Sequence, residues 1–230
     1  MTTFVLVPGA GGDAWYWHRV APLLEAAGHE VLAIDLPADD PRAGLDAYAR
    51  VVLDAIGGRT DVTLIAQSLG GFTAPLVCAR LPAASLRALV FVNAMIPVPG
   101  ETPGAWGNST GSGKARIEAA ARGGYSPEFD PATYFLHDVP EDVARESASH
   151  ARPEAEIVFD EPCRFDAWRK VPTHVVVGTE DRLFPREFQA RVARERLKVG
   201  VDEVPGGHLV ALSNPGGLAD RLLAYVHAPG

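Results

Sequence analysis

The stretch DVTLIAQSLGGFTAPLVCARL (residues 61–81) changes character at its centre. Residues 61–67, DVTLIAQ, are apolar and rich in β-branched side chains, which suit a buried strand. Residues 69–81, LGGFTAPLVCARL, have helical spacing, with Cys78 on the apolar face. Ser68 stands between the two. A serine on a strand-to-helix turn flanked by small residues fits a nucleophile elbow, G-x-S-x-G, which lifts a hydroxyl clear of the sheet. Ala66 replaces the first glycine here, so the turn alone leaves two readings: a nucleophile, or a polar residue in a tight turn.

Outward from this stretch, short apolar runs alternate with helical patterns. TFVLV (3–7), EVLAID (30–35), RALVFVN (87–93), THVVVG (173–178) and VGVDEV (199–204) read as further strands. Several are apolar on both faces, as strands of a covered parallel sheet should be. Helices are expected over 15–27, ending at Gly28, over 44–56 and over 186–197. Asn214-Pro215 opens a last one, a capping residue before proline at the first helical position. The alternation predicts an α/β, doubly wound, mostly parallel sheet of about six strands. The pattern breaks over residues 94–170. PVPGETPGAWGNSTGSG (97–113) reads as a mobile loop, and helical pieces follow near 113–122 and 140–151. We therefore expect a core of residues 1–93 and 171–230, with a lid, 94–170, inserted after the fourth strand over the carboxyl ends of the strands. That is where ligands bind in open α/β sheets. There is no internal repeat.

Size and charge narrow the function. A chain of 230 residues, 47% hydrophobic and 22% charged, buries a large core. Its net charge of −8 speaks against a nucleic-acid partner. MTTFVLVPGAGG lacks a basic leader, and Pro8-Gly9 cuts its apolar run short, so a cytoplasmic protein with no membrane partner is expected. Cys78 and Cys163 lack metal-ligand spacing and are too few for a disulfide framework.

A serine hydroxyl needs a base, an acid to orient that base, and N–H donors for the developing oxyanion. His208 in VPGGHLVALS follows the last strand through two glycines and is the base candidate. Of the other six histidines, His18, His29, His150 and His227 fall on helices or their ends and are expected at the surface. His174 begins a strand at the opposite edge, and His137 lies in the inserted stretch within reach of substrate. Asp181 in VVVGTEDRLFP, after the fifth strand, is the acid candidate. Glu180 would point away from it. Asp35, ending the second strand, is its rival, read here as a turn residue. The order Ser…Asp…His is that of the α/β-hydrolases. PGAGG (8–12) can turn backbone N–H groups inward, Ala10 offering one and Leu69 another. Alone it would be a plain turn, and no G-K-[ST] follows to make it a phosphate loop.

Together these segments resemble the α/β-hydrolase superfamily, and more narrowly its branch of plant methylesterases, hydroxynitrile lyases and their bacterial esterase relatives. The opening FVLVPGAGGDAWYWHRVAPLLEAAGHEVLAIDLP resembles that branch, as do YFLHDVPEDVARESASHARPE (134–154), VPTHVVVGTEDRLFP and GGHLVALSNPGGLADRL. The resemblance implies Ser68 as nucleophile, His208 as base, Asp181 as acid, and Ala10 and Leu69 as oxyanion donors. Hydroxynitrile lyases of the branch carry threonine at the Gly9 position and lysine at the Leu209 position, so ester hydrolysis is favoured over cyanohydrin cleavage. Ser68 excludes a dehalogenase, which needs aspartate there. Two departures stand out. Pro8 replaces the usual histidine, and Ala66 adds one methyl to the elbow. The expected activity is a serine carboxylesterase on small esters, needing no metal or organic cofactor and compatible with a homodimer. Met95, Trp106, Tyr134, Phe135 and His137 are expected around the substrate. The alternatives are a lyase or biosynthetic tailoring enzyme on the same fold, and a non-catalytic small-ligand receptor.

Overall fold

A computed structural model describes the backbone of residues 1–227 and the side chains of 1–226, so the surface position expected for His227 lies outside the described residues. Six strands, β1 (Thr3–Val7), β2 (Glu30–Ala33), β3 (Val62–Gln67), β4 (Leu86–Val92), β5 (Thr173–Gly178) and β6 (Asp202–Val204), form one sheet in the order β2-β1-β3-β4-β5-β6. Every neighbouring pair is parallel. The chain winds outward from β1 to β2, then returns and winds the other way from β3. The order therefore reverses between β1 and β3, which opens a crevice at their carboxyl ends.

The two-residue period of a strand splits the core into two layers. Val5, Val7, Leu64, Ala66, Leu89 and Phe91 face one layer, under helices Leu45–Ile56, Gly70–Arg80 and Arg186–Arg196. Phe4, Leu6, Ile65, Val90 and Val92 face the other, under Ala21–Ala26 and Pro215–His227. β1 and β3 are buried at every position, which is why their sequences are apolar on both faces.

Three expectations shift. The helix expected over 15–27 is a 3-10 turn, Ala14–Trp17, capped by Asp13 Oδ1 accepting from Trp15 N at 2.8 Å, followed by the separate helix Ala21–Ala26. β6 begins at Asp202, three residues later than its apolar run. The loop expected over 97–113 contains the helix Pro103–Thr110. Thr102 caps it, accepting from Ala105 N at 3.1 Å, and Pro103 takes the first position, where a missing N–H costs nothing. Gly111, at φ 72°, ends it. Proline and glycine here mark the two ends of a helix.

Residues 93–172, between β4 and β5, also hold helices Ser112–Gly123, Pro131–Tyr134, Glu141–Ser147 and Ile157–Asp160. Arg196 at the end of Arg186–Arg196 grips Glu101 through both carboxylate oxygens and donates to Ile96 O at 2.6 Å. This pair ties the start of the inserted stretch to the core. Neither His18 nor His150 is a plain surface residue: both stack on Trp15, at 4.3 and 4.6 Å between ring centroids. His29 is half-buried, edge-on to Phe4. His174 stacks on Tyr225 at 3.8 Å.

Candidate active site

Ser68 lies in the left-handed region, at φ 47°. Such a conformation strains a side chain and persists only where the surroundings hold it. Here Ser68 N donates to Val92 O at 3.3 Å, while Ser68 O accepts from Gly71 N at 3.1 Å and Met95 N at 2.9 Å. The backbones approach so closely that a Cβ on Gly71 would overlap the Met95 carbonyl. The result is a sharp turn that projects Oγ at the carboxyl end of β3, beside the loop after β1.

His208 reaches this hydroxyl. Its Nε2 is 3.1 Å from Ser68 Oγ, and its Nδ1 is 2.9 Å from Asp181 Oδ2. Asp181 is buried after β5, its Oδ1 accepting from Leu183 N and Phe184 N, both at 2.9 Å. Phe135 stacks on the imidazole at 5.3 Å, and Phe184 meets it edge-on at 5.2 Å. These rings exclude water from the histidine and restrict its tilt. A buried carboxylate on Nδ1 favours the tautomer whose Nε2 accepts the hydroxyl proton, and it stabilises the imidazolium that then forms. Asp35 has no part in this relay. It accepts from Arg152 at 2.6 Å and from Ala14 N at 3.3 Å. Glu180 is exposed.

A second ring of polar side chains holds the relay. Asn93, at φ 45° beyond β4, donates to Gly207 O at 2.9 Å and His208 O at 3.1 Å. Its Oδ1 accepts from Gly178 N at 2.7 Å and from Gln189 at 3.2 Å. Gln189 also donates to Asp181 Oδ2 at 3.1 Å. Two side-chain amides in series, Asn93 and Gln189, thus link the histidine loop to the carboxylate. Ala10 lies in the loop after β1, which lines the same cavity as Ser68, and Leu69 follows the serine directly. Gly11 and Gly12, at φ 84° and 64°, curl the loop after β1, and Gly12 N closes it onto Gly9 O at 3.1 Å. Leu69 begins the helix Gly70–Arg80, where N–H groups have no partner within the helix and the dipole favours negative charge.

Residues 4–221 match the family model for the alpha/beta hydrolase family. The chain belongs to that family. It is 30% identical to an alpha-hydroxynitrile lyase of Arabidopsis thaliana, covering 96% of this chain and 95% of the relative. It is 27% identical to an esterase of Oryza sativa subsp. japonica, covering 96% and 94%. The crystal structure of polyneuridine aldehyde esterase superposes with a TM-score of 0.79 at 22% identity, over 98% of this chain and 99% of that one. This α/β hydrolase thus has both esterase-like and hydroxynitrile lyase-like relatives.

The hydrolase opens its serine onto a cavity of about 470 Å³ with mainly apolar walls, formed by Trp15, Tyr16, Phe135, Leu136, Leu209 and Leu212. Of the side chains expected around substrate, only Phe135 lines it. Trp106 is a core residue, fully buried against Phe184 and Phe188, with its indole N–H on Ile96 O at 3.0 Å. Tyr134 is equally buried, its hydroxyl on Ser126 O at 2.7 Å. Met95 packs against the core beside the elbow and contributes its backbone N–H to Ser68 O. His137 faces a separate cleft of about 510 Å³, with Arg122, Glu180 and Arg182. Both Trp106 and Tyr134 obey the ordinary preference of large aromatics for the interior, their polar atoms satisfied locally. The polar ring of Asn93 and Gln189 was missed. Only the position of Asn93, at a strand's carboxyl end, could have signalled it.

Among the described residues, no group of three or more His, Cys, Asp or Glu is placed to hold a metal. Cys78 and Cys163 are buried free thiols whose pKa burial pushes up to about 12, so neither is poised as a nucleophile.

Proposed function

We propose that this hydrolase is a serine carboxylesterase for small, largely apolar esters. The observation that carries the reading is the unbroken relay from Asp181 through His208 to Ser68, at 2.9 and 3.1 Å, ending on an apolar cavity. Ser68 Oγ attacks the ester carbonyl as His208 Nε2 takes its proton. The Ala10 and Leu69 N–H groups hold the tetrahedral oxyanion, each such donor contributing about 3 kcal/mol to the transition state. His208 returns the proton to the departing alcohol, leaving an acyl-serine. Water, deprotonated by the same imidazole, then releases the acid and regenerates the hydroxyl.

Turnover of p-nitrophenyl acetate tests this. Ser68→Ala should lose activity by roughly four orders of magnitude or more. Asp181→Asn should cost roughly ten-thousandfold and Asp35→Asn little. A wild-type protein that turns over no ester, or a Ser68→Ala variant that still does, contradicts the reading. The 30% identity with a hydroxynitrile lyase supports a second reading, cyanohydrin cleavage. Two features of the cavity weigh against it. Leu209 sets an apolar side chain beside His208, and at Gly9 a Cβ would meet Ser68 Cβ at 2.8 Å. Cyanide release from mandelonitrile that exceeds ester turnover would favour the lyase.

A further inference from the structure

The loop after β1 has a demanding task, and its backbone is secured within the core at Gly12, which donates to Gly9 O at 3.1 Å and accepts from Leu36 N at 2.8 Å. Ala10 must aim its N–H at the oxyanion, yet its neighbours Gly9, Gly11 and Gly12 are free to adopt many conformations and carry no side chains to pack. The restraint on Gly11, next to Ala10, comes from the inserted stretch. Glu154 Oε2 accepts from Gly11 N at 2.8 Å. Its other oxygen, Oε1, accepts the hydroxyl of Tyr48, a buried residue of helix Leu45–Ile56. Ala155 N donates to Ala38 O at 2.8 Å and seats the segment that carries the glutamate. Behind Gly11, the Arg152 carbonyl stands 3.1 Å from where a Cβ would be, so the loop has no room to shift that way. Arg152 itself donates to Asp35. Both oxygens of a half-buried carboxylate are thus engaged, one by the loop and one by the core. A charged acceptor makes a shorter and stronger bond to an N–H than a neutral one.

We propose that Glu154 is a positioning residue for the oxyanion loop. Clamped by Tyr48, it draws the Gly11 N–H outward and so leaves the preceding N–H, that of Ala10, turned toward Ser68. This rests on the serine-esterase reading for its consequence, but the clamp itself is a property of the fold. It also gives the inserted stretch a role beyond covering the cavity, because that stretch completes the donor set.

Hydrogen exchange of the 8–12 loop and steady-state kinetics on p-nitrophenyl acetate test it together, in wild type, Glu154→Ala, Glu154→Gln and Tyr48→Phe. Glu154→Ala should speed exchange in the loop while the elbow peptide, 62–72, exchanges as before. Its kcat should fall roughly tenfold with KM changed by less than about twofold, the pattern of a contact that matters in the transition state. Glu154→Gln, which keeps an acceptor, should recover most of that kcat. Tyr48→Phe should loosen the loop in the same direction by less, and it serves if Glu154→Ala does not fold. Loop exchange unchanged in every variant overturns the proposal, as does a loss confined to KM. A wild type inactive on esters whose loop nonetheless loosens in Glu154→Ala would remove the esterase reading and leave the clamp standing.

Discussion

Ser68 and Asn93 share an unusual backbone, φ 47° and 45°, at the carboxyl ends of adjacent strands. Each is held there by hydrogen bonds it makes to the other elements of the site. Asn93 can be tested without touching the reacting atoms. Asn93→Gly tolerates the positive φ but leaves Gly207 O, Gly178 N and part of Gln189 unpaired. It should destabilise the protein by about 1–3 kcal/mol in chemical denaturation and lower kcat by roughly tenfold through a loosened His208. Asn93→Ala should be less stable again, by about 1 kcal/mol of backbone strain. Equal stability of all three proteins would refute the network. At this scale the sequence was readable where chemistry leaves a pattern. Serine, aspartate and histidine follow in family order, each after its own strand. Asn93 and Gln189 leave no such pattern, because their partners are backbone groups far away in the chain. Ala66 could be weighed only in part. Its methyl is fully buried between Val7 and Phe91 in the sheet, a place where a small side chain packs.

Among elements, the inserted stretch is fastened at Glu101. Burial pushes this carboxyl up, but hydrogen bonds from Arg196, Ser109 and the Val98 N–H outweigh it and hold its pKa below the usual range. A depressed pKa means stability that is present above the unfolded value and is lost as pH falls through the folded one. Arg196→Met, which strands the buried carboxylate, should cost about 3–5 kcal/mol at neutral pH. The deficit should shrink in acid, where Glu101 is neutral in either protein. Glu154 has the opposite sign. Burial is the largest influence on it and raises its pKa, so its contribution to stability is present at acid pH and lost as pH rises through the folded value. Thermal melts of Glu154→Gln should therefore match or exceed wild type near neutral pH. A large loss of stability there would contradict this account of the site. The helix Pro103–Thr110 shows why this region was hard to read. Its glycines and proline resemble loop punctuation, and its one strong anchor, Trp106, is fixed by tertiary contacts to Phe184 and Phe188.

For the whole molecule, the doubly wound sheet explains why residues 140 positions apart in the chain meet. The strand order reverses beside β3, so the loops after β1, β3, β5 and β6 converge on one crevice. The strands were legible because both faces of β1 and β3 are covered, and no alternation hides an apolar run. The cavity walls were not, since they arise where the inserted stretch meets the turn Ala14–Trp17, a juxtaposition no local pattern encodes. Those walls set a further expectation. In an apolar space of about 470 Å³, kcat/KM should climb from acetate to butyrate esters. Each added methylene is worth up to about 0.8 kcal/mol, roughly fourfold. The gain should reverse once the acyl chain outgrows the cavity, and a flat profile would mean that the acyl group lies outside it.

Every proposed step begins with Ser68 acting as a nucleophile activated by His208. Treatment of the protein with a fluorophosphonate followed by peptide mapping tests this. One covalent adduct is expected, on Ser68, absent from Ser68→Ala and strongly slowed in His208→Ala. An adduct on another residue, or none under conditions that label a known serine esterase, would contradict it.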